Sequence, residues 1–265
     1  RTAVVVYHRL DQFALIREAF RDVFERVVLI DGSTAAIDLG GVNVRQYGDL
    51  LTFEVRHTLV DRAAQFQKRV IDVLVSGAGL LALSPMLLLT ALAIALDSPG
   101  GVFYRQRRIG KGGREFGMLK FRTMRRDADA VLQQLLDSDP AAQREWQTYQ
   151  KLQRDPRITR VGRLLRRFSL DELPQLWNVL IGEMSIVGPR PIMLNQQQMY
   201  GPNFRHYIRV VPGITGLWQI SGRNRTSFAQ RTAFDAEYIN NWTIWSDIYI
   251  LVRTAWVVLR RDGAC

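Results

Sequence analysis

Residues 73–96, VLVSGAGLLALSPMLLLTALAIAL, decide how this chain is organised. The run holds 24 residues without a charge. A helix rises ~1.5 Å per residue, so a run of this length can cross a hydrocarbon core of ~30 Å. Length alone reads as a transmembrane helix. Two details point elsewhere. Pro85, preceded by Ser84, lies near the centre. Proline removes one backbone hydrogen bond and crowds the turn before it, so a break is expected there. Both flanks are also basic: Arg62, Lys68 and Arg69 precede the run, and Arg105, Arg107, Arg108, Lys111 and Arg114 follow it. Basic flanks mark the cytoplasmic side, and here both ends qualify. A re-entrant membrane hairpin over residues 66–100, broken at Ser84-Pro85, satisfies both observations. A straight span and a buried core helix are the alternatives.

Upstream, residues 1–61 carry 7 Arg against 9 acidic residues. TAVVVY (Thr2–Tyr7), RVVLI (26–30) and Val42–Tyr47 read as strands, and residues 13–24 have helical spacing. This is the pattern of part of a small α/β, Rossmann-like module. It contains no GxGxxG, so no nucleotide site is expected in it. The chain starts at Arg1 rather than Met, which reads as the end of a soluble, regulatory module cut from a longer protein.

Downstream, the charge turns strongly positive. The whole chain is +11, so residues beyond 61 carry the excess. Residues 101–126 hold nine Lys/Arg against one Glu, and residues 151–167 hold seven against one Asp. Between them, residues 127–150 read as one exposed helix. Beside an apolar membrane segment, such basic runs suit anionic lipid, at roughly 1 kcal/mol per residue near the surface. No nucleic-acid motif accompanies the charge, so a nucleic-acid partner is not expected. The single cysteine, Cys265, excludes a disulfide framework and a cysteine metal site. Near the C-terminus Trp245, Ile248, Tyr249, Val252, Trp256 and Leu259 fall at helical spacing. This stripe suits either a core face or a membrane interface.

The chemistry is concentrated in residues 162–191, GRLLRRFSLDELPQLWNVLIGEMSIVGPRP. Adjacent acids Asp171 and Glu172 stand at an apparent helix start, with Arg163, Arg166 and Arg167 just before them. Ser169-x-x-Glu172 also matches a capping box, which any surface helix can carry. Pro174 strains a regular first turn, however. An Asp-Glu pair among arginines is a workable phosphoryl-transfer site: arginines clamp phosphate oxygens, one carboxylate holds Mg²⁺ and the other attacks phosphorus. Gly182 marks the helix end, residues 184–187 a short strand, and Gly188-Pro189-Arg190-Pro191 a stiff loop.

Several motifs then occur in order: Lys68-Arg69 with Asp72, the Ser84-Pro85 break, KFRTM (120–124), SLDELPQ (169–175), MSIVGPRP (184–191) and PGITGLWQISGR (212–223). Together they resemble the bacterial sugar transferase family, the monotopic polyprenyl-phosphate phosphoglycosyl transferases, over roughly residues 66–265. SGRNR (221–225) and RRDGA (260–264) look most like its undecaprenyl-phosphate galactose phosphotransferase branch.

The resemblance implies an α+β, mostly helical catalytic domain over residues 101–265, with interfacial helices. It implies transfer of hexose-1-phosphate from a UDP-hexose to undecaprenyl phosphate, galactose favoured and glucose next, early in O-antigen, capsule or exopolysaccharide synthesis. Asp171 would be the nucleophile and Glu172 the Mg²⁺ ligand. Arg166 and Arg190 would bind substrate phosphate, with Lys120 and Arg122 further candidates for the diphosphate. Asp235, in FDAEY (234–238), would support the metal or nucleotide. A homodimer at the cytoplasmic face of the bacterial inner membrane is also implied. The alternative from another class is a non-catalytic module that binds anionic lipid; it leaves the acids among the arginines unexplained.

Overall fold

The computed structural model describes residues 2–7, 26–31, 42–47, 50–56, 62–149, 152, 155–221 and 226–260. The helix expected at 13–24, residues 222–225 of the SGRNR motif and residues 261–264 of RRDGA lie outside these.

Thr2–Tyr7 (β1), Arg26–Asp31 (β2), Val42–Tyr47 (β3) and Leu50–Arg56 (β4) form one sheet in the order β1-β2-β4-β3. The first three strands are those expected from sequence; LLTFEVR at β4 is an addition. β1 and β2 run parallel, but β4 is antiparallel to both its neighbours. Only two residues separate β3 from β4, and so short a connection permits only an antiparallel pair. The sheet is therefore mixed.

The apolar run forms the centre of α1, Arg62–Asp97, a helix of 36 residues. Ser84-Pro85 does not interrupt it. Pro85 has no N–H for the Leu81 carbonyl one turn back, and the Ser84 hydroxyl donates to that carbonyl at 2.7 Å instead. The expected helix-break-helix is thus a continuous helix with a proline inside it. Only 6% of its apolar window is buried, which removes the core-helix reading. Leu81, Leu88, Leu89 and Leu96 are all exposed. α1 is long and apolar enough to cross a membrane.

Both ends of α1 are tied down. Near its start Arg69 donates to the Val179 and Leu180 carbonyls at 2.6 and 2.7 Å, and the Asp72 carboxylate accepts from the Ser185 hydroxyl and the Ile186 N–H at 3.0 and 2.9 Å. Lys68 pairs with Asp247 at 2.5 Å. At the far end Asp97 accepts from the Val161 N–H at 3.1 Å, and Ile94 packs with Phe121 and Leu165.

Beyond α1 the described residues are mostly helical, with two small sheets. Phe103–Ile109 (β5) and Glu115–Phe121 (β6) form an antiparallel hairpin with Phe103 opposite Phe121. The region expected as one helix is two, Ala128–Ser138 (α2) and Pro140–Tyr149 (α3). Pro140 cannot extend the first helix, and Asp139 turns extended and accepts from the Ala141 N–H at 2.8 Å to start the second. Arg160–Arg167 (α4) and Gln175–Ile181 (α5) flank a 3-10 turn at Leu170–Glu172. Ser185–Val187 (β7) pairs in parallel with Gly213–Thr215 (β8). Phe204–Tyr207 (α6), Leu217–Ser221 (α7), Phe228–Asn240 (α8) and Ile244–Arg260 (α9) complete the fold. Met118, Val179, Met184, Tyr238, Trp242 and Ile250 anchor the main core. Trp245, Ile248, Tyr249, Val252 and Trp256 of the α9 stripe face outward: Trp245 is 75% and Val252 65% exposed, whereas Ile250 on the other face is 1%.

Candidate active site

The site is assembled where β6 ends. Lys120 is the second-last residue of that strand, and Arg122 and Thr123 come just after it. Gly162, in the first turn of α4, lets the helix rest on the chain at Thr123; a Cβ there would run into the Thr123 carbonyl oxygen. That contact sets Arg166, one turn on, so that its Nε donates to Thr123 Oγ1 at 2.9 Å.

α4 ends at Phe168, and Ser169 then takes a left-handed backbone, φ 56° and ψ 23°. It is the only non-glycine residue with positive φ among those described. Its side chain makes no capping bond, so the capping-box reading of Ser169-x-x-Glu172 does not hold. Strain of this kind costs on the order of 1–3 kcal/mol and collects at functional sites. Its effect is to turn the chain so that Asp171 and Glu172, in one 3-10 turn, both enter the wall of a cleft.

The cleft encloses about 1190 Å³ and is lined by Asp171, Glu172, Lys120, Arg122, Arg166 and Arg190, with Thr215, Trp218 and Gln219 among other residues. Arg190 is held in a rigid frame. Gly188 N–H donates to the Thr215 carbonyl at 2.8 Å and Gly213 N–H to the Pro189 carbonyl at 2.7 Å. Lys120 Nζ and Arg190 Nη2 meet the same oxygen of Glu172, at 2.8 and 3.5 Å. Burial alone would raise the Glu172 pKa, but Arg190 and Lys120 outweigh it and hold the carboxyl below its ordinary range. Asp171 behaves oppositely. Burial pushes it up, Lys120 and Arg166 pull it down, the neighbouring Glu172 adds to the rise, and the net shift is upward. Two adjacent, buried acids thus shift in opposite directions, Glu172 down because its ion pairs outweigh burial and Asp171 up because burial and Glu172 outweigh the cations.

Five of the residues singled out from sequence therefore meet: Asp171, Glu172, Lys120, Arg166 and Arg190. Arg122 borders the cleft, but its guanidinium is committed to the end of α1, donating to the Ser98 and Pro99 carbonyls at 2.5 and 3.1 Å. Asp235 does not line the cleft. It is buried at 2% exposure on α8, where the Tyr200 hydroxyl donates to it at 2.5 Å. Burial pushes its carboxyl up to about 7, against the pull of Tyr200 and Arg231.

Two contributors were not separable in the sequence. Arg108, one of nine basic residues in its stretch, is buried behind Arg190. It donates to the Pro191 carbonyl at 3.3 Å and to Gln106 Oε1 at 2.8 Å. Burial, then repulsion from Arg190 and Arg231, lowers its pKa to about 10. Thr123 is the second. The signal for Arg108 was the strand's period of two, which puts it on one face with Gln106.

Among the described residues no group of three or more His, Cys, Asp or Glu side chains gathers to form a metal cage. The dyad instead offers the hard carboxylate oxygens of two side chains. Such a partial site suits a cation that shares its shell with substrate phosphate and water.

Comparison with known proteins fits this geometry. Residues 63–261 match the profile of a family described as bacterial sugar transferase. The exopolysaccharide production protein ExoY of Sinorhizobium fredii is 51% identical over 197 residues, 74% of this chain and 87% of that protein. The undecaprenyl-phosphate galactose phosphotransferase of Salmonella typhimurium is 44% identical over 216 residues, 82% of this chain and 45% of that one. The UDP-glucose:undecaprenyl-phosphate glucose-1-phosphate transferase of Xanthomonas campestris is 38% identical over 268 residues, 97% of this chain and 50% of that one. The chain thus spans about half the length of the latter two relatives.

Proposed function

The chain belongs to the bacterial sugar transferase family, and we propose that it transfers hexose-1-phosphate from a UDP-sugar to undecaprenyl phosphate, releasing UMP. The observation that carries this reading is the Asp171-Glu172 pair in a cleft with Lys120, Arg166 and Arg190, in a fold that also presents a long exposed apolar helix. Galactose is the favoured sugar, from the name of the Salmonella relative, with glucose next, from that of the Xanthomonas relative. The product would start a surface polysaccharide.

Asp171 is the nucleophile. Its carboxylate oxygen attacks the phosphorus that carries the sugar, the bond from that phosphorus to the bridging oxygen breaks, and UMP leaves with that oxygen. The resulting acyl phosphate holds the phosphosugar on the enzyme. A phosphate oxygen of undecaprenyl phosphate then attacks the same phosphorus, and Asp171 is released as carboxylate. Desolvation makes Asp171 a better nucleophile than a solvated acid, while Lys120 and Arg166 keep an ionised fraction available. Arg190 and Arg166 are positioned for the phosphate oxygens on which charge builds. Glu172, held ionised, would ligate Mg²⁺, which prefers one or two carboxylates plus substrate oxygens. When bound, the ion screens diphosphate charge and favours UMP departure.

The membrane arrangement belongs to the same proposal. α1 would be roughly 54 Å long if straight, well beyond a hydrocarbon core of about 30 Å. Both its ends bond to elements of one body, β7 and α5 at the start, α4 and the exit of β6 at the far end. A helix bent at Pro85, entering and leaving at the cytoplasmic face of the inner membrane, accommodates this and keeps both basic flanks on one side. It sets the dyad at headgroup height, where a soluble donor and a lipid acceptor meet. Residues 1–60 would form a separate module, residues 66–100 the membrane element and residues 101–265 the catalytic part, in a homodimer.

The test is UMP release from UDP-galactose and UDP-glucose in membranes with and without undecaprenyl phosphate. UMP together with a lipid-linked sugar is expected. Release of UDP, or of free sugar-1-phosphate without the lipid, would overturn the reading.

A further inference from the structure

The catalytic acids and cations account for only part of the cleft lining. α7 and β8 supply another part, including Trp218, Gln219 and Thr215. Trp218 is braced from behind. The Arg231 guanidinium lies over its ring at 4.6 Å and also contacts the Phe228 ring at 5.5 Å. Arg231 is in turn drawn toward Asp235, one turn on along α8, whose carboxyl Tyr200 holds from the other side. The Trp218 indole Nε1 and the Arg231 Nε are both buried without a hydrogen-bond partner among the described residues. A guanidinium stacked on the ring in this way fixes the indole in place. The rest of the ring borders a cleft large enough for a nucleotide sugar.

We propose that Trp218 is the platform on which the pyrimidine base of the donor stacks, with Arg231 as its backing. This rests on the UDP-sugar reading of the cleft. The phosphates then run from the base toward Arg166, Arg190 and Asp171, and the sugar-bearing phosphorus reaches the dyad.

The test is binding of UMP and of inorganic pyrophosphate to the purified full chain in detergent. Four proteins are compared: wild type, Trp218→Phe, Trp218→Leu and Trp218→Ala. Base–aromatic stacking predicts at least a roughly fivefold loss of UMP affinity in the Leu and Ala variants. Trp218→Phe should stay within a few-fold of wild type, and pyrophosphate, which has no base, should bind all four alike. Leu carries the comparison if the Ala variant does not fold. Equal UMP affinity for Phe and Leu, or a parallel loss of pyrophosphate binding, would overturn the platform while leaving the transferase reading intact. If wild type binds neither UMP nor UDP-galactose, the donor reading itself fails, and the platform with it.

Discussion

Asp171 and Glu172 are neighbours in one turn, yet their surroundings drive them apart, and that difference is testable. Asp171→Asn should reduce turnover by several orders of magnitude with little change in melting temperature; substantial residual activity would exclude Asp171 as nucleophile. The attacking carboxylate must be ionised and burial raises its pKa, so activity should fall on acidification before pH reaches the ordinary carboxylate range. Lys120 pulls that pKa down, so Lys120→Met should move the acid limb of the pH–rate profile to higher pH. An unmoved limb would contradict the assigned coupling. Asp235 gives a stability prediction. Its folded pKa, about 7, lies above its unfolded value of 3.8, so its favourable contribution is full below pH 3.8 and is lost as pH rises through 7. Asp235→Asn should therefore raise the melting temperature more at pH 8 than at pH 5. A larger gain at pH 5 would reverse the sign. At this scale much was legible, because Lys120, Arg166, the dyad and Arg190 stand in short motifs whose chemistry is visible one residue at a time. Arg108 and Trp218 were not: one is hidden among like charges, the other among apolar neighbours. Their roles depend on which face the fold buries.

Among the elements, α4 and α1 carry the sharpest consequences. Gly162→Ala should force α4 away from Thr123, at a cost of about 1–3 kcal/mol, and loosen the Arg166 contact. Lower melting temperature together with weaker UDP-sugar binding is expected; a fully wild-type variant would show that the contact does not position Arg166. In α1 the sequence identified an apolar helix and its proline correctly but overstated the interruption. Proline lacks the donor, and the Ser84 hydroxyl takes its place. The same kind of local chemistry divided α2 from α3 at Pro140. The orientation of the α9 stripe was undecidable from periodicity, which gives a face without saying what covers it. If α1 bends at Pro85 and returns, labels placed before and after it will be accessible from the same side of sealed vesicles. Labels on opposite sides would mean a straight span.

For the molecule as a whole, the pattern is one of an apolar helix bonded at both ends to one basic body, with outward-facing aromatic residues on α9. In the proposed reaction such a body would bring a water-soluble diphosphate and a lipid phosphate to one carboxylate. The most direct measurement uses the intact chain in detergent with UDP-galactose or UDP-glucose radiolabelled in the sugar, no lipid acceptor, and rapid acid quench. The account predicts protein-bound label that maps to Asp171, is absent in Asp171→Asn and is discharged by added undecaprenyl phosphate. Lipid-linked sugar forming under matched conditions while the protein never carries label would contradict it.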